Sequence, residues 1–414
     1  MAAQEQRWAG LDWSDQSHTI CVIDDRGIRV SVFTVAQTED GMAELVRRLR
    51  AVDGLAGIAL EATRHLVVHT LSSHAFTVYP VNPKMAAAWR KGWSVTGAKS
   101  DPGDAEILAD GLRHYYERLR PLRPDNPRAR ELALLCEEKQ AFITERTALV
   151  NKLQATLKGY FPAALEWFDD WTSPTAWDFV LTFSTPHALA AASSKKLYSF
   201  LKTHCLGLKP KWRERVERAS KATALAADEA TEAAMTLRAG TLAKQLKTLA
   251  ASLDAYRQRI NPLFEESPDT ALFKSLPGAG EKPAPRLATI FGEDRERLDS
   301  AKAVQQLTGT APVTYASGKK TVICFRWACS KYWRNTMHMF AWCSIRQCTW
   351  ARAFYDGCRA RGGSNALALR KLGFKWLKII FAMWQRHETY NDSRYVEALK
   401  KHASPLAGAI ACNT

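Results

Sequence analysis

The 414-residue sequence lacks a membrane span: its strongest apolar run, Ile379 to Trp384, falls far short of the ~20 residues that crossing a bilayer requires. It also lacks a CxxC knuckle. Cysteine is present nine times, an odd count, and Cys324, Cys329, Cys343, Cys348 and Cys358 cluster with CxxxxC spacing, which does not wrap a tetrahedral zinc ion. These thiols read as small buried hydrophobes, not as metal ligands or a secreted disulfide framework. No charged-then-apolar signal region precedes Trp8, so a reduced, cytosolic protein is expected. No repeat of fixed period is visible. Acid is in short supply: 58 Lys+Arg stand against 42 Asp+Glu, a net charge of +16. Between Lys319 and Arg386 the imbalance becomes fourteen bases to one acid, Asp356. An ordinary solvated face mixes both signs, so this excess points to a polyanionic partner, of which nucleic acid is the commonest. A hydrophobic content of 46% excludes a disordered chain, and the length predicts two or three domains.

Short strand-like runs at Trp8–Trp13, Thr19–Asp24 and Val30–Val35, parted by polar or glycine turns, predict a three-strand meander. A helix over Glu39–Leu49, a strand over Gly57–Leu60, a second helix, a strand over Thr77–Val81 and a third helix follow. The order β-β-β-α-β-α-β-α implies an α/β layer domain with a mixed sheet, over residues 1–125. Residues 126–265 turn to Ala, Leu, Glu, Lys and Arg at three-and-four spacing, predicting long helices over Asn126–Lys158 and Trp212–Ile260 that pair antiparallel or as a coiled coil. Between them an aromatic-rich helical insertion, residues 160–210, contains Phe161, Trp167, Phe168, Trp171 and Trp177. Pro262 and Pro268 then punctuate the entry to a mainly helical, basic third domain, residues 266–402, with a tail over 403–414.

Four acids in the first domain sit where acids are unexpected or able to converge. Asp12 lies within the first strand, where Asp is disfavoured, and Glu61 ends the fourth. Asp101 and Asp104, three residues apart, share a face of one helical turn. If the first and fourth strands are neighbours, as in ribonuclease-H-like sheets, all four face one another. Such a cluster calls for hard cations, and two magnesium ions roughly 3.5 to 4 Å apart can activate a nucleophile and stabilise the leaving oxygen of a phosphodiester. The competing reading makes Asp101 a helix cap and Asp104 a first-turn acid facing the dipole. Asp15, Asp24 and Asp25 fall in turns and are set aside.

These residues carry a likeness. AGLDWSDQSHTICVIDDRG, ALEAT and NPKMAAAWRKGWSVTGAKSDPGDAEILADGLR resemble the N-terminal RuvC-like domain of the insertion sequence 110 family of transposases, the bridge-RNA-guided recombinases. That family's acidic pattern of Asp, Glu, Asp, Asp falls on Asp12, Glu61, Asp101 and Asp104. SLPGAGEKPAPRLATIFGE, the stretch from Leu307 to Lys320 and RAFYDGCRARGGSNALALRKLGFKWLKIIFAMW resemble its C-terminal transposase domain. The resemblance implies a serine nucleophile at Ser317, magnesium on the four acids, donor and target DNA, a structured guide RNA, and assembly into dimers and tetramers.

In the C-terminal half, Leu276-Pro277-Gly278-Ala279-Gly280 resembles a helix-hairpin-helix turn whose glycine amides approach a phosphate, although Pro283 and Pro285 are expected to shorten or delay the second helix. Tyr315-Ala316-Ser317-Gly318-Lys319-Lys320 places a serine on flexible backbone beside two phosphate-binding lysines. No histidine lies nearby in sequence, so activation of this weak nucleophile must come from elsewhere, and the carboxylate site is the candidate. Ser330 is the fallback. Arg326, Lys331 and Arg334 are further candidates for nucleic-acid contact, interleaved with Trp327, Trp333, Trp342, Trp350, Trp376 and Trp384, most of which the helical spacing assigns to a core. Two rivals use the same residues differently: a RuvC-like junction nuclease without a covalent step, and a non-catalytic RNA-binding scaffold. A sugar-kinase or actin-like ATPase would need a second glycine-rich phosphate loop such as DxGGG, which is absent.

Overall fold

Alternating apolar residues in the first sixty positions fold into strands with two buried faces. The computed structural model describes residues 5–93, 99–204, 206, 210–221, 227–318 and 320–411, and divides into two compact units, Met1–Pro124 and Asp125–Thr414.

The first unit carries β1 (Arg7–Trp13), β2 (Ser17–Ile23), β3 (Arg29–Ala36), α1 (Glu39–Arg50), β4 (Leu55–Leu60), α2 (Leu66–Ser73), β5 (Val78–Pro80), α3 (Pro83–Trp93) and α4 (Asp101–Tyr115). Its sheet runs β3-β2-β1-β4-β5, with β2 antiparallel to both neighbours and β1, β4 and β5 mutually parallel. This is the mixed sheet the sequence predicts. Ala9, Leu11, Ile20, Val22, Ile58 and Leu60 turn to the face covered by α1 and α2, where Leu45, Leu49, Val68 and Leu71 meet them. Trp8, Cys21, Ile23 and Ala59 turn to the opposite face and pack on Ala105, Leu108, Ala109 and Leu112 of α4.

The second unit opens with α5 (Pro127–Tyr160), started by Asn126, whose side chain accepts from the Ala129 amide at 2.8 Å. Helices α6 (Pro174–Thr182), α7 (Pro186–Ala190), α8 (Ser194–Thr203) and α9 (Pro210–Lys221) follow, then α10 (Glu229–Glu265), which packs along α5. The single helix expected over Trp212–Ile260 is thus two helices, with residues 222–226 outside the described set. The aromatic insertion is a core of its own: Tyr160, Phe161, Trp177, Phe179 and Phe183 are each at most 1% exposed, and they close over Leu153 and Leu157 of α5 and Ala243 and Leu246 of α10. Pro262 does not end α10. It sits in the last turn, and burial of Ile260, Leu263 and Phe264 offsets the hydrogen bond that proline removes.

The remaining elements are α11 (Thr270–Lys274), α12 (Pro283–Phe291), α13 (Ala301–Leu307), β6 (Val313–Ser317), β7 (Lys320–Cys324), α14 (Lys331–Ser344), α15 (Thr349–Ala360), α16 (Asn365–Arg386), α17 (Asp392–Lys401) and α18 (Pro405–Ala411). Pro283 and Pro285 start α12 instead of delaying it, because proline in a first turn loses no helical hydrogen bond. Trp350, Trp376 and Trp384 are fully buried, whereas Trp327 and Trp342 are exposed. The core that holds them also takes in Leu132 and Cys136 of α5 and Phe264 of α10, so the long pair is rooted in it.

Asp269, 3% exposed, binds the Arg295 guanidinium at 2.7 and 2.5 Å, and that guanidinium lies 4.5 Å from the Trp384 ring centroid. Removing one partner of a buried pair strands the other charge. Asp269→Asn is therefore expected to lower unfolding stability by about 3 kcal/mol in urea denaturation. A loss below about 1 kcal/mol would show that water already compensates Arg295.

Candidate nuclease and strand-transfer residues

The pairing of β1 with β4 sets two acids side by side. Leu11 registers with Leu60, so the next residues along these parallel strands, Asp12 and Glu61, leave the sheet at its C-terminal edge on the face toward α4. A glycine allows α4 to complete the group. A Cβ at Gly10 would collide with the Ala105 carbonyl oxygen and the Ala109 amide, so bare backbone at this position lets the helix lie directly on β1. Gly10→Val is accordingly expected to destabilise the first unit at or above the upper end of the ~1–3 kcal/mol typical of overpacking. Thermal unfolding measures it, and an unchanged transition would contradict this close approach.

The first turn of α4 then presents the other two acids. Ser100 is its N-cap, the hydroxyl accepting from the Gly103 amide at 3.3 Å, so the cap falls to serine and Asp101 stays exposed in the first turn. Asp104 is 5% exposed. The charges are mutually felt: burial, then Asp104 and Asp101, push the Asp12 carboxyl up to about 6, with Glu61 adding to the rise and Lys99 opposing it. Burial also raises Glu61; Arg90 works against the shift and Asp104 adds to it.

Two cations of the protein itself partly neutralise this group. Arg90 Nε donates to Asp104 Oδ1 at 2.8 Å, and Lys99 Nζ stands 3.9 Å from Asp104 Oδ2. Among the described residues, no three His, Cys, Asp or Glu side chains are already drawn to metal-holding distances. The donor set is nonetheless all carboxylate oxygen, which suits a hard divalent cation, and the raised Asp12 and Glu61 mark a site short of positive charge. Neither Arg90 nor Gly10 stood out in the sequence. An isolated glycine inside a strand was the available signal for a close backbone approach.

Ser317 lies in the second unit, exposed at the end of β6, followed by Gly318 at φ +56°, a left-handed value that suits a tight hairpin turn. Lys320 is exposed on β7 directly opposite Ser317, while Lys319 lies outside the described residues. Arginines brace the base of this hairpin. Arg326 donates to the Ala311 and Pro312 carbonyls at 3.2 and 3.3 Å, and Arg334 donates to the Arg326 carbonyl at 2.6 Å. The Phe325 ring is flanked by Arg334 and Arg370 at 4.4 and 4.9 Å. Both candidate arginines thus already serve main-chain carbonyls, whereas Lys331 is exposed at the start of α14. Ser330 caps α14, its hydroxyl accepting from the Trp333 amide at 3.2 Å. Gly278, at φ +82°, gives its amide to Gln347 Oε1 at 2.8 Å and abuts the Cys343 carbonyl, while Gly280 is exposed.

Comparison with known families decides the relationship. Residues 9–162 match the family model of the DEDD transposases of IS110, described as "Transposase", and residues 270–356 match "Transposase IS116/IS110/IS902 family", together more than half of the chain. The chain belongs to the IS110/IS116 family of transposases. Over 409 residues it is 26% identical to the "Mini-circle putative transposase for IS117" of Streptomyces coelicolor, covering 96% of this chain and 98% of that one. Over 402 residues it is 25% identical to the "Insertion element IS900 uncharacterized 42 kDa protein" of Mycobacterium paratuberculosis, covering 93% and 97%. A stretch of 209 residues is 30% identical to "Putative transposase y4uE" of Sinorhizobium fredii, 49% of this chain and 58% of that one. Asp12, Glu61, Asp101 and Asp104 all fall within the DEDD match, and Ser317 falls within the second. An IS110-family transposase acts on DNA, and a DEDD domain is of the kind that works with a divalent metal. No helix among the described residues is long and apolar enough to cross a membrane.

Proposed function

We propose that this transposase cuts and rejoins DNA through a covalent phosphoserine, with Asp12, Glu61, Asp101 and Asp104 holding magnesium and Ser317 as the nucleophile. The reading rests above all on the coupling of four carboxylates around Asp12, which β1–β4 pairing and the bare backbone at Gly10 bring about. Magnesium, when bound, would supply positive charge to the phosphodiester oxygens. Ser317 Oγ attacks phosphorus as the bond to one deoxyribose oxygen breaks. The serine proton passes to a neighbouring base, and the leaving oxygen takes up a proton. The ester bond is conserved in the serine linkage, so the reverse attack by a deoxyribose hydroxyl rejoins a strand. The family resemblance implies that acids and serine can come from different copies of the chain, in a dimer or tetramer.

The excess of base over acid between Lys319 and Arg386 suits DNA and also a structured guide RNA, held by shape and backbone while base pairing selects donor and target sequences. Such a protein would work in the bacterial cytoplasm, on the nucleoid. Two measurements on the purified full chain test the reading. Magnesium titration is expected to show binding that disappears in Asp12→Ala, and binding indifferent to the acids would favour a non-catalytic scaffold. Sequencing of copurified RNA is expected to return one defined species. A random cellular mixture would count against guidance.

A further inference from the structure

The hairpin that carries Ser317 has two faces, and its register decides what each presents. Ser317 pairs with Lys320, Tyr315 with Val322, and Val313 with Cys324. Directly opposed residues of an antiparallel ladder share a face, so hydroxyl, ammonium and phenol ring stand together, while Ile323 and Thr321 turn the other way. Tyr315 is 63% exposed and lies outside every core cluster, and among the described residues its ring and hydroxyl have no hydrogen bond or ring contact. Two residues along a strand span about 6.6 Å, which sets the ring one step from the serine. A large exposed aromatic beside a basic side chain is the pairing that stacks on an unstacked base while its phosphate is held.

We propose that Tyr315 is a positioning residue that stacks on the nucleobase next to the phosphodiester attacked by Ser317, with Lys320 pairing to the phosphate oxygens. Its ligand is an unpaired or unstacked nucleoside of either base class, because every base offers a π-face. The inference rests on Ser317 being the nucleophile. Stacking that withdraws a base from the duplex at the cut site turns the neighbouring phosphate toward the hairpin face and holds it within reach of Oγ.

The test uses the full chain with its copurified RNA and a duplex carrying the element's own ends and flanks, either intact or with one abasic nucleotide on either side of the cleaved bond. Formation of the covalent protein–DNA species is followed by denaturing gel. Tyr315→Ala is expected to lower its rate about tenfold, and Tyr315→Phe to stay within about twofold of the parent. Ile323→Ala, on the opposite face, is expected to leave the rate unchanged. An abasic site on one side should slow the parent by the same factor as Tyr315→Ala and add nothing to that variant. The melting temperature of Tyr315→Ala should match the parent, since the ring supports no core. A parent-like rate for Tyr315→Ala, an equal loss in Ile323→Ala, or an abasic penalty undiminished in Tyr315→Ala would each overturn the stacking role. A covalent species that survives Ser317→Ala would instead overturn the nucleophile assignment, and this inference with it.

Discussion

Ser317→Ala is expected to lower strand exchange by at least about 10³-fold, because the substitution removes the only oxygen through which the proposed covalent intermediate forms. The effect should be confined to chemistry. Ser317 is exposed at the hairpin tip, so its loss leaves no cavity and no unpaired buried group, and the melting temperature should stay within experimental scatter. DNA binding should also persist, since the bases of the second unit are untouched. The assay is recombination of a plasmid carrying the element's ends, quantified by junction-specific amplification. A junction nuclease that hydrolyses with water makes the opposite prediction: nicking at parent rates in Ser317→Ala. Ser330→Ala separates the two serines further. Its hydroxyl caps α14, so that variant should lose about 1 kcal/mol of stability and keep strand exchange.

Asp12→Asn should be nearly as damaging to activity but, unlike Ser317→Ala, should raise stability in the absence of metal. The amide keeps the shape but not the charge needed to hold a divalent cation, and a loss of at least about 10²-fold in magnesium-dependent cleavage is expected. In metal-free protein the same change relieves a strained charge. The Asp12 carboxyl is raised from 3.8 to about 6 by burial and by Asp104 and Asp101, so the folded state binds its proton more tightly than the unfolded state does. Stability therefore falls as pH rises from about 4 through about 6, and above that window the ionised group weighs against folding. Asp12→Asn should raise the melting temperature at pH 7.5 without magnesium and narrow the difference between pH 5 and pH 7.5. A lower melting temperature at pH 7.5 would mean that Arg90 and Lys99 already compensate the group.

Much of the first unit was legible because a half-buried strand leaves a period-two trace, because Asp12 breaks that trace inside a strand, and because Glu61 closes the apolar run of the fourth. Strand order did not follow from that pattern: the pairing of the first and fourth strands entered only as the condition for the acids to converge, by analogy with ribonuclease-H-like sheets, and the β1–β4 ladder meets it. What the sequence left open depends on contacts between distant residues. The approach of α4 to β1 needs the missing side chain of Gly10, and the ion pair of Arg90 with Asp104 needs α3 and α4 to be neighbours. Pro262 looked like a helix end because local rules weigh a lost hydrogen bond and cannot weigh burial of Ile260 and Phe264. The flexible backbone expected around Ser317 is the tip of a β-hairpin. Its strands are short, exposed and without clean alternation, so only the pairing register reveals which side chains accompany Ser317.

The most direct test of a metal-holding acidic cluster working with a distant serine is mass spectrometry of the protein–DNA species, quenched from an active reaction and digested to peptides. The account predicts a nucleotide phosphate on the peptide containing Ser317, formed by the parent with magnesium and missing from Asp12→Asn. Cleaved DNA with free ends and no linked peptide, or a linkage at any other residue, would contradict it.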